Sequence, residues 1–169
     1  MKTKIEIKSV FGKVLFSFEK EDNTLKETLE EAVKNAADLC GANLRGAGLC
    51  DAKNLPYIPL ACPSEGAFVG WKKVKDRKDR LVKLEIPEDA RRSSATTNKC
   101  RCDKAKVLAI TSMDENESFD EVLCETHASL LYKVGEMVYP DSFDEDRWNE
   151  CSNGIHFFIN KQEAIDYIL

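Results

Sequence analysis

Four residues in the second half of the chain have the chemistry of zinc ligands: Cys100 and Cys102, then Cys124 and His127, a C-x-C pair followed by C-x2-H. Thiolate sulfur and imidazole nitrogen suit a tetrahedral Zn²⁺. The first pair is tightly spaced, however, and side chains two apart on a strand share a face. We therefore read Cys100 and Cys102 as packed strand residues and expect no metal, with Cys100, Cys102, Cys124 and His127 as the zinc-site alternative. Cys151 and His156 flank Asn153-Gly154 and have the types of a thiol–imidazole nucleophile pair. No third residue is evident to orient the imidazole, so they are expected as a packed cysteine and a sheet-face histidine, and no catalytic residue is assigned.

The segment Arg91-Arg92-Ser93-Ser94-Ala95-Thr96-Thr97-Asn98-Lys99 brings two guanidinium groups, four hydroxyls and an ammonium into nine residues. These types hold phosphate through charge and forked hydrogen bonds. It lacks the glycine spacing of a P-loop, so an ATPase is not implied. Arg91, Arg92, Ser93, Ser94 and Lys99, with His156 and Trp71, are the candidate ligand-binding residues. A solvated polar loop is the competing reading.

The elements that must position these groups can be read from periodicity. Lys4–Lys8 and Lys13–Phe18 alternate around Phe11-Gly12, which predicts a β-hairpin with Val14, Phe16 and Phe18 on one face. Thr24 and Glu27 form a capping box, and Leu25, Leu29, Ala32, Val33 and Ala36 make the apolar stripe of a helix. Pro56, Pro59 and Pro63 place a boundary near residue 60. Beyond it we expect a strand over 67–74, a charged loop over 75–80 and a strand over 81–86. A polar loop over 88–99 follows, then a strand over 104–111 and apolar stretches over 129–134 and 136–139. A central strand over 155–159 comes last, carrying Ile155, Phe157 and Ile159 on one side and His156 and Phe158 on the other. A helix over 161–169 closes the chain. The fold class is α+β, with the latter part a mixed or antiparallel sheet.

With 169 residues, 43% hydrophobic and 33% charged, the chain can bury a core of its own. A net charge of −5 argues against a general nucleic-acid binder. No apolar run is long enough for a membrane span and the first residues alternate in charge, so a cytosolic protein without membrane association is expected. The seven cysteines are an odd number without a secretion signal and are expected as free thiols.

Between the helix and the prolines, Ala recurs at 37, 42, 47 and 52 and Leu at 39, 44 and 49. A period of five fits neither helix nor strand. The segment resembles a pentapeptide-repeat coil, in which four five-residue sides make one turn of a right-handed β-helix with Leu and Ala inward. Asn54 stands where a fourth Leu belongs, so the coil is little more than one turn and serves as a connector. The expected organisation is a hairpin–helix cap over 1–36, a repeat coil over 37–59 and a C-terminal α+β domain over 60–169.

The whole chain resembles small phage- and prophage-associated proteins that join a short pentapeptide repeat to a C-terminal domain of unknown function. The resemblance rests on Lys83-Leu84-Glu85-Ile86-Pro87, on Lys99-Cys100-Arg101-Cys102-Asp103-Lys104, on Asp141 through Trp148, and on Gly154-Ile155-His156-Phe157-Phe158. It implies a non-enzymatic protein in the host cytosol that binds a host protein, such as an inhibitor of a defence factor, and no cofactor. Gly154–Phe158 is also similar to the nicotinamide-lining strand of poly-ADP-ribose-polymerase-type transferases. There His156 would take the stacking position and Val69-Gly70-Trp71 an early His-Gly position, from which Val69 departs. That similarity implies a nucleotide-binding domain with a degenerate transferase-like pocket as the alternative function.

Overall fold

The computed structural model describes residues 2–40, 42–45, 47–49, 52, 59–124 and 130–169, which form a mixed α+β protein of mostly antiparallel strands and two short helices. The chain divides into two compact units, Met1–Pro59 with Asp146–Asn149, and Leu60–Glu145 with Glu150–Leu169.

In the first unit, β1 (Lys2–Lys8) and β2 (Val14–Glu21) pair antiparallel, with a bulge at Ile7/Lys8. The Ser9 hydroxyl accepts from the N–H groups of Phe11 and Lys13, and Gly12 takes the positive φ of +84° that this turn requires. Helix α1 (Leu25–Lys34) starts on the expected capping box, with Thr24 and Glu27 each satisfying the other's backbone N–H. Ile7, Leu29, Ala32, Leu44 and Leu49 form the core, flanked by Phe16, Leu25, Leu39 and Trp148.

Ala36 does not extend the helical stripe. It adopts φ +51°, and bonds from Ala36 N–H to Val33 O and from Ala37 N–H to Ala32 O close the helix in a Schellman arrangement. Val14 is 44% exposed, so the hairpin's inward face is narrower than its alternation implies.

Over 37–52 the described residues form successive turns and no continuous strand. Ala42, Ala47 and Ala52 N–H donate to the carbonyls of Leu39, Leu44 and Leu49, and the Asp38 and Asn43 side chains accept from Cys40 and Arg45 N–H. Asn54, Leu55 and Pro56, where the five-residue register slips, lie outside the described residues, as does Cys50.

In the second unit, β3 (Phe68–Asp76) and β4 (Lys78–Ile86) form one long hairpin. The segment over 75–80, expected as a loop, is strand on both sides of Arg77, whose φ of +53° makes the turn. Lys75 faces Asp79 across the pair, so opposite charges support the ladder where a loop was expected. The polar loop carries β5 (Arg92–Ser93), followed by β6 (Cys100–Cys102) and β7 (Ala105–Ser112). A hairpin of β8 (Glu121–Cys124) and β9 (Leu130–Lys133) follows, with β8 not foreseen from the sequence. Gly135, at φ +85°, separates β9 from β10 (Met137–Val138). Last come β11 (Ile155–Phe157) and α2 (Lys161–Asp166), which is capped by Asn160. The strands assemble as β10-β7-β4-β3 and β11-β6-β5, with β8-β9 separate.

Two expectations at this end are corrected. β11 stops at Phe157 and lies at a sheet edge, because Phe158 turns to exchange backbone hydrogen bonds of 2.7 and 2.8 Å with Trp71 on β3. Ile159 is consequently 38% exposed instead of joining Ile155 and Phe157, both fully buried. Helix α2 ends at Asp166 because Tyr167 is extended, which leaves Ile168 89% exposed.

Two outcomes follow from this packing. Ala36→Gly relieves a left-handed alanine and should stabilise the protein by about 0.5–1 kcal/mol in denaturant titration; a loss of stability would show that Ala36 is not strained. A Cβ on Gly70 would lie 2.7 Å from Phe157 Cδ2. Gly70→Ala should therefore cost about 1–3 kcal/mol, with partial recovery when combined with Phe157→Leu, and an unaffected single variant would contradict this packing.

Candidate functional site

The candidate ligand loop is largely engaged by the protein itself. Arg91 donates from its backbone and Nε to the Asp103 carboxylate, each at 2.9 Å, and from Nη1 to Glu145 at 2.6 Å. The Arg92 guanidinium donates to five carbonyls, those of Pro63, Gly66, Pro87, Glu88 and Ala90, and lies over the Phe68 ring. It ties loops together and presents no fork to a ligand. Ser94 is buried, and its hydroxyl accepts from Ala61 N–H at 2.7 Å. Ser93 is buried with a hydroxyl that has no partner among the described residues.

The remainder of the loop holds an anion belonging to the chain. Glu150 Oε1 accepts from the N–H groups of Thr96 at 2.5 Å and Thr97 at 2.9 Å, and Oε2 accepts from the Thr97 hydroxyl at 3.0 Å. The hydroxyl-rich sequence thus has anion-holding geometry, filled by a carboxylate.

Lys99 and His156 lie in a different environment. Lys99 Nζ is 3.1 Å from Cys151 Sγ and near the Tyr167 ring. Burial pulls the Lys99 ammonium down, but Cys151 and Tyr167 outweigh it and hold the group above its ordinary value. His156 pairs with Arg101 across β11 and β6 and lines a small cleft with Lys72, Lys73, Phe158, Tyr167 and Leu169. Trp71 lies outside this cleft's lining. Lys83 Nζ at 5.5 Å and Lys161 Nζ at 5.3 Å both lie over its ring. Lys99 and His156 share Tyr167 as a neighbour, His156 and Trp71 share Phe158, and His156 and Ser93 both pair with Arg101.

Cys100 and Cys102 are both fully buried on β6, and Cys124 is buried on β8, while His127 lies outside the described residues. Among the described residues no group of three His, Cys, Asp or Glu side chains is arranged to hold a metal ion. A Cys62 contact and burial push the Cys100 thiol up, and burial pushes Cys102 up, so both stay protonated.

The residue that sequence reasoning passed over is Lys72. Alternation along β3 puts Gly70, Lys72 and Val74 on one face, and all three are buried, with Lys72 only 6% exposed. Among the described residues no carboxylate acts on its amine, which is rare for a buried lysine. Burial drives its amine pKa down from 10.5. Cys124 and Cys102 oppose that, and the Lys99 ammonium adds to it. The signal was present in Gly70-Trp71-Lys72-Lys73-Val74, where period two places one lysine with the apolar set.

Tyr132, fully buried on β9, has the same two thiols as neighbours, and its hydroxyl has no hydrogen-bond partner among the described residues. A larger depression of about 640 Å³ lies between β2 and α1, but its lysines are paired with its own glutamates, Lys20 with Glu27 and Lys34 with Glu31. No described helix is long and apolar enough to cross a membrane.

Residues 58–164 match a family described as "Family of unknown function (DUF5758)". No curated protein and no solved structure matches the chain.

The Lys72 amine makes a pH prediction. Its folded pKa is depressed, so between that value and 10.5 the unfolded chain binds more protons and stability rises with pH through this window. Lys72→Met should therefore melt higher than wild type near neutral pH, with the difference shrinking as pH approaches 10.5. A pH-independent difference in melting temperature would show that the amine is not desolvated.

Proposed function

From a chain that belongs to DUF5758, a family of unknown function, we propose a non-enzymatic binding protein of phage or prophage type that acts on a host protein, as an inhibitor of a host defence factor. The observation that carries this reading is the tip of the β1–β2 hairpin. Phe11 is 95% exposed there and Val10 62%, with Val14 beside them at 44%. An aromatic ring on a short turn fixed by Ser9 and Gly12 loses little conformational freedom on docking, and aromatic anchors are enriched in protein interfaces. The phage origin is supported by the sequence resemblance alone. The turns closing at Leu39, Leu44 and Leu49 are proposed to be a short pentapeptide-repeat coil, supported by a hydrogen bond recurring every five residues.

The nucleotide-binding alternative is less favoured. A phosphate would have to displace Glu150 from Thr96 and Thr97, and Asp103 and Glu145 from Arg91.

The test is capture from host lysate with wild-type protein and Phe11→Ser side by side. One discrete host protein should be retained by wild type and lost by the variant, whose melting temperature should not change because Phe11 buries almost nothing. Identical recovery by both, or none at micromolar protein, counts against the proposal. Nucleotides, NAD and cyclic dinucleotides should give no thermal shift, whereas a true ligand at a hundred times its Kd would add about 2.7 kcal/mol.

A further inference from the structure

Independently of the protein-binding reading, we propose that Cys151 and Lys99 form an oxidative modification site, joined by hydrogen peroxide into a covalent sulfur–nitrogen bridge, a sulfenamide. Three observations lead there. Lys99 Nζ lies 3.1 Å from Cys151 Sγ, within the separation of about 3–3.5 Å from which held groups react. Cys151, expected to be packed, is exposed, so peroxide reaches its sulfur, whereas Cys62, Cys100, Cys102 and Cys124 are buried. The two stretches of backbone are also held in register by bonds other than the pair itself. Glu150, next to Cys151, accepts from the N–H groups of Thr96 at 2.5 Å and Thr97 at 2.9 Å, and the Thr97 hydroxyl accepts from Lys99 N–H at 3.3 Å. The group against the accessible sulfur is thus a pre-positioned amine.

Peroxide is the only oxidant the steps need. The Cys151 thiolate attacks one peroxide oxygen, the O–O bond breaks, and the sulfur becomes a sulfenic acid, oxidised by two electrons. The departing hydroxide takes a proton from the Lys99 ammonium and leaves as water. Burial pulls the Lys99 ammonium down, but Cys151 and Tyr167 outweigh it, so the proton is there to be given. Its transfer leaves the uncharged amine that the second step requires. The amine lone pair attacks the sulfur, the S–O bond breaks, and the hydroxyl leaves with one amine proton as a second water. The net change is loss of two hydrogens from the protein as one peroxide is reduced to two waters. The bridge fastens the loop before β6 to the chain entering β11, 52 positions away.

The experiment is treatment of the folded full chain with a few equivalents of hydrogen peroxide, followed by intact mass and peptide mapping without reductant. We expect a product two hydrogens lighter, a cross-linked peptide pair joining Lys99 to Cys151, and its disappearance on addition of dithiothreitol. Lys99→Arg keeps the positive charge but removes the amine, so the bridge should be lost and the Cys151 sulfenic acid should accumulate as a dimedone adduct. The chain unfolded in guanidinium chloride should not form the pair, because nothing then holds the two residues together. Oxidised Cys151 beside an unmodified Lys99 in the folded wild type, a disulfide from Cys151 to another cysteine, an equal yield of bridge from the unfolded chain, or no reaction at Cys151 would overturn the proposal. Should Lys99→Arg fail to fold, mapping of the wild-type product decides the question alone.

Discussion

The second unit depends on the junction between β11 and the open edge of β3. Phe157 fills the space left by the missing side chain of Gly70, and the next residue exchanges two backbone hydrogen bonds with Trp71. A sheet edge with unpaired N–H and C=O groups is thereby covered. The three-stranded sheet is fastened to the four-stranded one, and a single apolar cluster runs from Val74 and Val82 through Cys100 and Cys102 to Ile155 and Phe157. The same junction sets His156 beside Lys72. Without a glycine at position 70 the ring could not approach, and the cleft would not have its present walls.

The rest of the unit has short strands, and short strands leave many backbone groups without a ladder partner. Long polar side chains supply what is missing. Arg92 gathers carbonyls from two loops, the buried Arg101 donates to Asp144 and Asn153 carbonyls, and Glu150 satisfies the amides of Thr96 and Thr97. These are charge-assisted bonds, stronger than neutral ones. Residues that look like ligand groups in the sequence are thus needed to hold irregular backbone together.

Lys72 stands apart from this pattern because no described carboxylate compensates it. A buried amine in that position favours its neutral form over an uncompensated charge, at a cost to the folded state at neutral pH. Residues kept at the expense of stability are where activity is best sought.

The sequence by itself determined the elements whose signals are local. The β1–β2 hairpin follows from alternation around Phe11-Gly12, the start of α1 from Thr24 and Glu27, and the five-residue spacing of Leu39, Leu44 and Leu49 sets a turn at each repeat. The buried positions of Ile155 and Phe157 likewise follow from period two. Only the tertiary structure decided what non-local partners control. It turned an expected charged loop into a hairpin closed at Arg77, moved β11 to an edge through the Phe158 bridge, and gave Arg91 and Arg92 internal partners. The character of Lys72 was also decided there. A side chain's charge state depends on which groups the fold brings around it, and spacing along one chain does not say which residues from distant strands those will be.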